Sequence, residues 1–156
     1  MKKKQKLPNK YVLAIIEDGP LINFQSLGKL QQLLDLNMEI VTLDVTCYNT
    51  ENNLKIQAFV KNHTKILQTM SGSGLLMARE IGIFKNMTEV ATFEFEKNYL
   101  REIAKEKPLV VLFEKARFLT RINNVRFLNT SEFLRGLRLY LRDVGKMTRE
   151  ACRMLR

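Results

Sequence analysis

The chain is poor in the residues that build metal centres, covalent frameworks and histidine-based catalysis. Its 156 residues include two cysteines and one histidine. Cys47 and Cys152 stand far apart and outside any C-x-x-C spacing, which excludes a disulfide framework and a cysteine zinc site. His63 has no second histidine or nearby cysteine with which to share a metal, and no triad can use more than that one imidazole. Neither a catalytic residue nor a cofactor is expected. Long apolar runs are missing as well. Runs such as Leu109 to Phe113 fall far short of the roughly 20 residues that a membrane span needs. The basic start "MKKKQKLPNK" leads into "YVLAIIED", where Glu17 and Asp18 stop the apolar run before any cleavage site of small residues. These features predict a soluble, cytoplasmic protein. Internal repeats and low-complexity linkers are also missing, which predicts a disordered basic arm over 1–10 and a single domain over 11–156.

What is abundant is positive charge, and it is unevenly placed. The net charge is +10, with 26 basic and 16 acidic residues. Residues 1–10 carry five lysines and no acid, residues 11–113 are nearly balanced, and residues 114–156 carry nine of the eleven arginines. Arginine forks onto phosphate oxygens and gives up its water more readily than lysine does. Arginine concentrated on one segment therefore points to a polyanionic partner.

The last 24 residues, "FLRGLRLYLRDVGKMTREACRMLR", show how that charge is carried. Leu134, Leu137, Leu141 and Val144 recur at helical spacing, and Arg135, Arg138 and Arg142 follow one position behind them. One residue is about 100° of helix rotation, so the apolar stripe docks and the arginines lie along its margin. Beyond Gly145, Lys146, Arg149 and Arg153 continue the pattern; Arg121 and Arg126 precede it. These eight are the predicted nucleic-acid contacts. "VGKMTREACRML" resembles the turn and second helix of a helix-turn-helix, with Gly145 in the turn and Thr148 as cap. Thr148 comes one residue later than in the usual turn, and Leu141 stands where a small residue is normal.

Alternation and breakers predict the order strand, helix, strand, strand, helix, strand, then two or three helices. Strands are expected at 11–17, 39–48, 54–60 and 88–95, with the middle two forming an antiparallel hairpin. Helices are expected over about 21–37, 75–81 and 96–107. Residues 109–122 suit a strand or a helix; the spacing of Leu112, Ala116, Leu119 and Ile122 leans to helix. "NTSEF" (129–133) offers N-caps for the last long helix. This is the ferredoxin-like α+β arrangement: an antiparallel β-α-β-β-α-β sheet followed by a basic helical segment from about 109 to 156.

"KIQAFVKN" (55–62) resembles the central strand signature of the RNA recognition motif at Lys55, Ala58, Phe59 and Val60. It departs from it at Ile56, Gln57 and Asn62. The resemblance implies an RNA-facing sheet with Phe59 as its one stacking aromatic. The residues alone place Phe59 as a packing residue beneath the C-terminal helices. "SGSG" (71–74) followed by Arg79 lacks the GK[ST] ending of a phosphate-binding loop and reads as a flexible helix-capping loop. Glu17 and Asp18 after the first strand, Asp44, and Glu94 and Glu96 near the fourth strand's end are candidate Mg²⁺ carboxylates, though no D-x-D spacing links them.

The function expected from the sequence is phosphate-directed binding of nucleic acid, RNA or a ribonucleoprotein ahead of DNA. A scaffold or viral structural protein, using its amphipathic tail on a partner, on its own copy as a homo-oligomer or on a membrane surface, is the alternative. A Mg²⁺-dependent nuclease comes third.

Overall fold

The computed structural model describes residues 11–36, 38–69, 87–115 and 122–136. They form a five-stranded sheet whose strands all run parallel, in the order β3-β2-β1-β4-β5. The strands are β1 (Tyr11–Ile15), β2 (Met38–Leu43), β3 (Lys65–Leu67), β4 (Leu109–Leu112) and β5 (Val125–Leu128). The helices are α1 (Asp18–Ser26), a 3₁₀ helix (Leu30–Leu36), α2 (Asp44–Asn49), α3 (Leu54–His63), α4 (Met87–Phe95), a π turn (Glu96–Leu100), α5 (Arg101–Glu106) and α6 (130–136). No helix among the described residues is long and apolar enough to cross a membrane.

The predicted antiparallel ferredoxin-like sheet is therefore overturned. The first strand is where the apolar run placed it, but the hairpin is absent. Residues 39–48 split into β2 and α2, because Ile40, Val41, Thr42 and Leu43 are all buried and Asp44 opens a helix. A strand covered on both faces reads as a continuous run, so the alternation beyond Leu43 carried no strand information. Buried Thr42 escapes the cost of burial by donating its hydroxyl to the carbonyl of Ile15 at 2.7 Å.

Residues 54–60 are helical, not a strand. Ile56, Phe59 and Val60 are the buried positions, an i, i+3, i+4 stripe that mimics alternation over a short window. Asn53 starts this helix, its side-chain oxygen accepting from the Ile56 N–H at 3.2 Å. The strand expected over 88–95 is α4, which buries Val90, Ala91 and Phe95. Residues 109–112 resolve as a strand against the helical leaning, and β5 was not foreseen, so 109–136 is not a continuous helical segment. The expected helix over 96–107 is present as the π turn and α5, burying Leu100 and Ala104. The helix expected over 75–81, the glycine loop, the basic arm and the helix-turn-helix resemblance lie outside the described residues.

Two apolar layers flank the sheet. Val12, Ala14 and Ile16 of the β1 segment face one way with Val41, Leu43, Leu109 and Val111, beneath α4 and the π turn through Ala91, Phe95 and Leu100. Leu13 and Ile15 face the other way with Leu112, beneath α1, α3 and α6 through Phe24, Ile56, Phe59 and Phe133. Phe24 and Phe133 meet edge to face, ring centres 5.8 Å apart. Among the described residues helices cover both faces of the sheet, and residues 55–62 form no strand, so the recognition-motif resemblance loses its strand. Phe59 is 3% exposed within the second layer, a packing residue on a helix.

Candidate functional site at the carboxyl edge of the sheet

The chain runs outward from β1 through β2 to β3, then returns to the opposite side of β1 to lay down β4. In open parallel sheets such a reversal leaves a crevice outside the carboxyl ends of the two strands, because the connecting helices leave in opposite directions. Here the crevice lies between the ends of β1 and β4. Glu17 and Asp18 follow β1 and Glu114 and Lys115 follow β4.

Glu17 is buried and spans the crevice. Its carboxylate accepts from the backbone N–H of Glu114 at 2.8 Å and of Lys115 at 2.9 Å. Glu114 is exposed and turns the other way. It accepts from the N–H of Thr130 at 3.0 Å, from the Thr130 hydroxyl, and from the Asn23 amide at 3.5 Å. It thus links β4 to the start of α6 and to α1. Gly19 leaves room for it: a Cβ there would come within 3.0 Å of the Glu114 Cγ. The start of α6 also has a reciprocal cap. Asn129 Oδ1 accepts from the Glu132 N–H at 2.8 Å, and Glu132 Oε1 accepts from the Asn129 N–H at 3.1 Å. This is a cap that "NTSEF" announced.

Asp44 has the matching role at the end of the next strand out, β2. It accepts from the Val45 N–H at 2.9 Å at the start of α2, and from the Thr69 N–H at 2.9 Å and the Thr69 hydroxyl beyond β3. Close by, burial first and the Asp44 carboxylate second push the half-buried Cys47 thiol above its ordinary pKa, against a smaller lowering by a backbone hydrogen bond. Each of these three carboxylates fastens one strand's end to a neighbouring segment. Among the described residues no group of three His, Cys, Asp or Glu side chains lies placed to hold a metal ion. Glu94 and Glu96 lie on α4 and the π turn, not at a strand end.

Of the eight predicted nucleic-acid contacts, Arg126 and Arg135 are described, and both are exposed. Arg126 sits on edge strand β5. It alternates with Val125 and Phe127, so it shares a sheet face with Leu128 and with α6, the helix that carries Arg135. Arg121, Arg138, Arg142, Lys146, Arg149 and Arg153 lie outside the described residues. Sequence reading missed Glu114, although a signal existed: it follows "LVVLF" much as Glu17 follows "VLAII", an acid closing a buried apolar run. The partners Thr69, Thr130 and Asn23 had no such signal.

No family model, no curated protein and no solved structure matches this chain.

Proposed function

We propose that this protein binds nucleic acid through its phosphates, using its cationic segments as the contact surface. The observation that carries this reading is the uneven placement of charge along the sequence. Residues 1–10 hold five basic residues and no acid, residues 11–113 ten basic and twelve acidic, and residues 114–156 eleven basic and four acidic. A chain that needed charge for solubility alone would intersperse both signs along its length. Arg126 and Arg135, two basic residues of that last segment, are exposed on the same side of the sheet.

The test is a salt titration of binding to one duplex and one single strand. Log affinity should fall with log salt by roughly 0.7 to 0.9 per phosphate neutralised. Replacing Arg138 and Arg142 by Gln should reduce that slope by up to about two units and weaken unrelated sequences alike, because phosphate contacts do not read bases. Absence of binding at low salt, or equal slopes in both proteins, overturns the reading in favour of a scaffold.

A second reading, Mg²⁺-dependent phosphodiester cleavage, is favoured by the reversal of chain direction that sets Glu17, Asp18 and Glu114 at one crevice. The described side chains do not fit a metal as they stand, since Glu17 is engaged with backbone N–H groups. Asp18→Asn and Glu114→Gln are the informative variants. Loss of Mg²⁺-dependent cleavage in either supports the second reading; a bound strand that stays intact with Mg²⁺ dismisses it.

A further inference from the structure

A groove runs between α3 and the end of α1, apart from the crevice that Glu17 spans. One wall is α3, through Lys55, Ala58, Asn62 and His63, and the other is α1 and the 3₁₀ helix, through Gln25 and Gln31. The α3 residues stand at i, i+3, i+7 and i+8, so they share one face of the helix. Leu30 and Phe59, both buried, close the groove from below. It encloses about 380 Å³, within the roughly 300–1,000 Å³ of small-ligand sites.

The walls are fixed from behind. The Asn53 amide donates to Gln25 Oε1 at 2.6 Å and ties the two helices together. The His63 ring rests against the Phe59 ring, centres 5.6 Å apart. The exposed side chains of Gln31, Lys55 and Asn62 make no hydrogen bond or ion pair among the described residues. No carboxylate lines the groove. The segments that build it, 19–34 and 52–69, hold Lys29, Lys55, Lys61 and Lys65 and no acidic residue. An anion entering the groove therefore meets cations and neutral amides.

Lys55 and His63 are eight residues apart, about 12 Å of helix rise, a span that a nucleoside monophosphate covers. Lys55 is in the first turn of α3 and His63 in the last, so the helix dipole favours the anionic end at Lys55. The amides of Gln31 and Asn62 each offer a donor and an acceptor, which suits the polar edge of a base. We infer that this groove binds a free nucleoside monophosphate, with its phosphate on Lys55, its base beside Leu30 and Ala58, and the base edge on Gln31 and Asn62. The site goes beyond the nucleic-acid reading and does not depend on it: that reading rests on the ends of the chain, and this one on residues 25–63.

The test uses the full chain without a histidine tag. His63 is then the only histidine, so its ring gives a single Hε1 resonance at the end of the groove. Titration with AMP should shift that resonance saturably. Adenosine should bind about 5- to 20-fold more weakly, for want of the charge-assisted bond to Lys55. Lys55→Gln should weaken AMP by the same factor and leave adenosine unchanged. Lys61→Gln, on the same helix but off the groove, should change neither. Ala58→Glu places a carboxylate in the groove at an exposed helical position, and should abolish AMP binding with the melting temperature near wild type. No saturable shift at millimolar AMP overturns the site. Equal weakening by Lys55→Gln and Lys61→Gln reduces it to general surface charge, and inorganic phosphate binding as tightly as AMP reduces it to a bare anion contact; either result refutes the proposal. A shift produced by oligo-dT and not by AMP also refutes it, by assigning the groove to a nucleic-acid strand.

Discussion

The carboxylate of Glu17 accepts the backbone N–H groups of Glu114 and Lys115 at 2.8 and 2.9 Å, across almost a hundred residues of chain. It fastens the end of the central strand to the strand laid down after the chain reverses direction. Hydrogen bonds to an ionised acceptor contribute about 1.5–3 kcal/mol each, and the exposed position of Glu114 and Lys115 lets water replace some of that. Glu17→Ala should therefore cost about 2–3 kcal/mol in a urea unfolding curve. Glu17→Gln should cost less, because one oxygen still accepts. A curve unchanged in the alanine variant would show that the clasp carries no weight.

Phe59 should behave as core. It is 3% exposed among Leu13, Ile15 and Phe24, so Phe59→Ala should cost about 3–5 kcal/mol. Nucleic-acid affinity per folded molecule should not change, which binding measured well below the melting transition would check. Lost affinity with unchanged melting would return the ring to a base-stacking role.

Gly28 closes α1 by a left-handed turn. Its φ is +66°, its N–H bonds the carbonyl of Gln25 at 3.0 Å, and the N–H of Lys29 reaches back to Phe24 at 2.8 Å. This pair of bonds is a Schellman ending. No atom lies within 4 Å of a Cβ built there, so substitution meets only backbone strain. Gly28→Ala should cost about 1 kcal/mol, and Gly28→Asn less, since Asn tolerates this conformation. Equal melting temperatures for all three proteins would contradict the backbone account.

Cys47 should titrate late. Burial and then the Asp44 carboxylate hold its thiol protonated beyond the ordinary range. In a Cys152→Ser background, the pH midpoint for alkylation by iodoacetamide should lie above that of a free thiol. Asp44→Asn should lower it, though not fully. Because the folded thiol's pKa is raised, its contribution to stability is complete below the unfolded thiol's pKa and is lost as pH rises through the folded one. A midpoint at or below the free-thiol value would refute the burial argument.

Local chemistry made several features legible in the sequence alone. The apolar run ending at Glu17 specified β1, "NTSEF" announced an N-cap among two or three candidates, and the apolar face of "EKNYLREIAKEK" specified a helix. These depend on neighbours within a few residues, so the letters suffice. The charge imbalance that carries the functional reading was equally plain, because composition needs no coordinates. The direction of the strands was not. Ile40, Val41 and Leu43 are apolar whether their strand runs parallel or antiparallel. Only helices packed on both faces reveal that the alternation after Leu43 belongs to α2, and that Ile56, Phe59 and Val60 form a helical stripe. The carboxyl-edge site likewise depended on the reversal that sets β4 beside β1. Glu17 and Glu114 are far apart in the chain, and no local preference of either residue encodes their meeting. That meeting follows from burying two apolar layers against a single sheet.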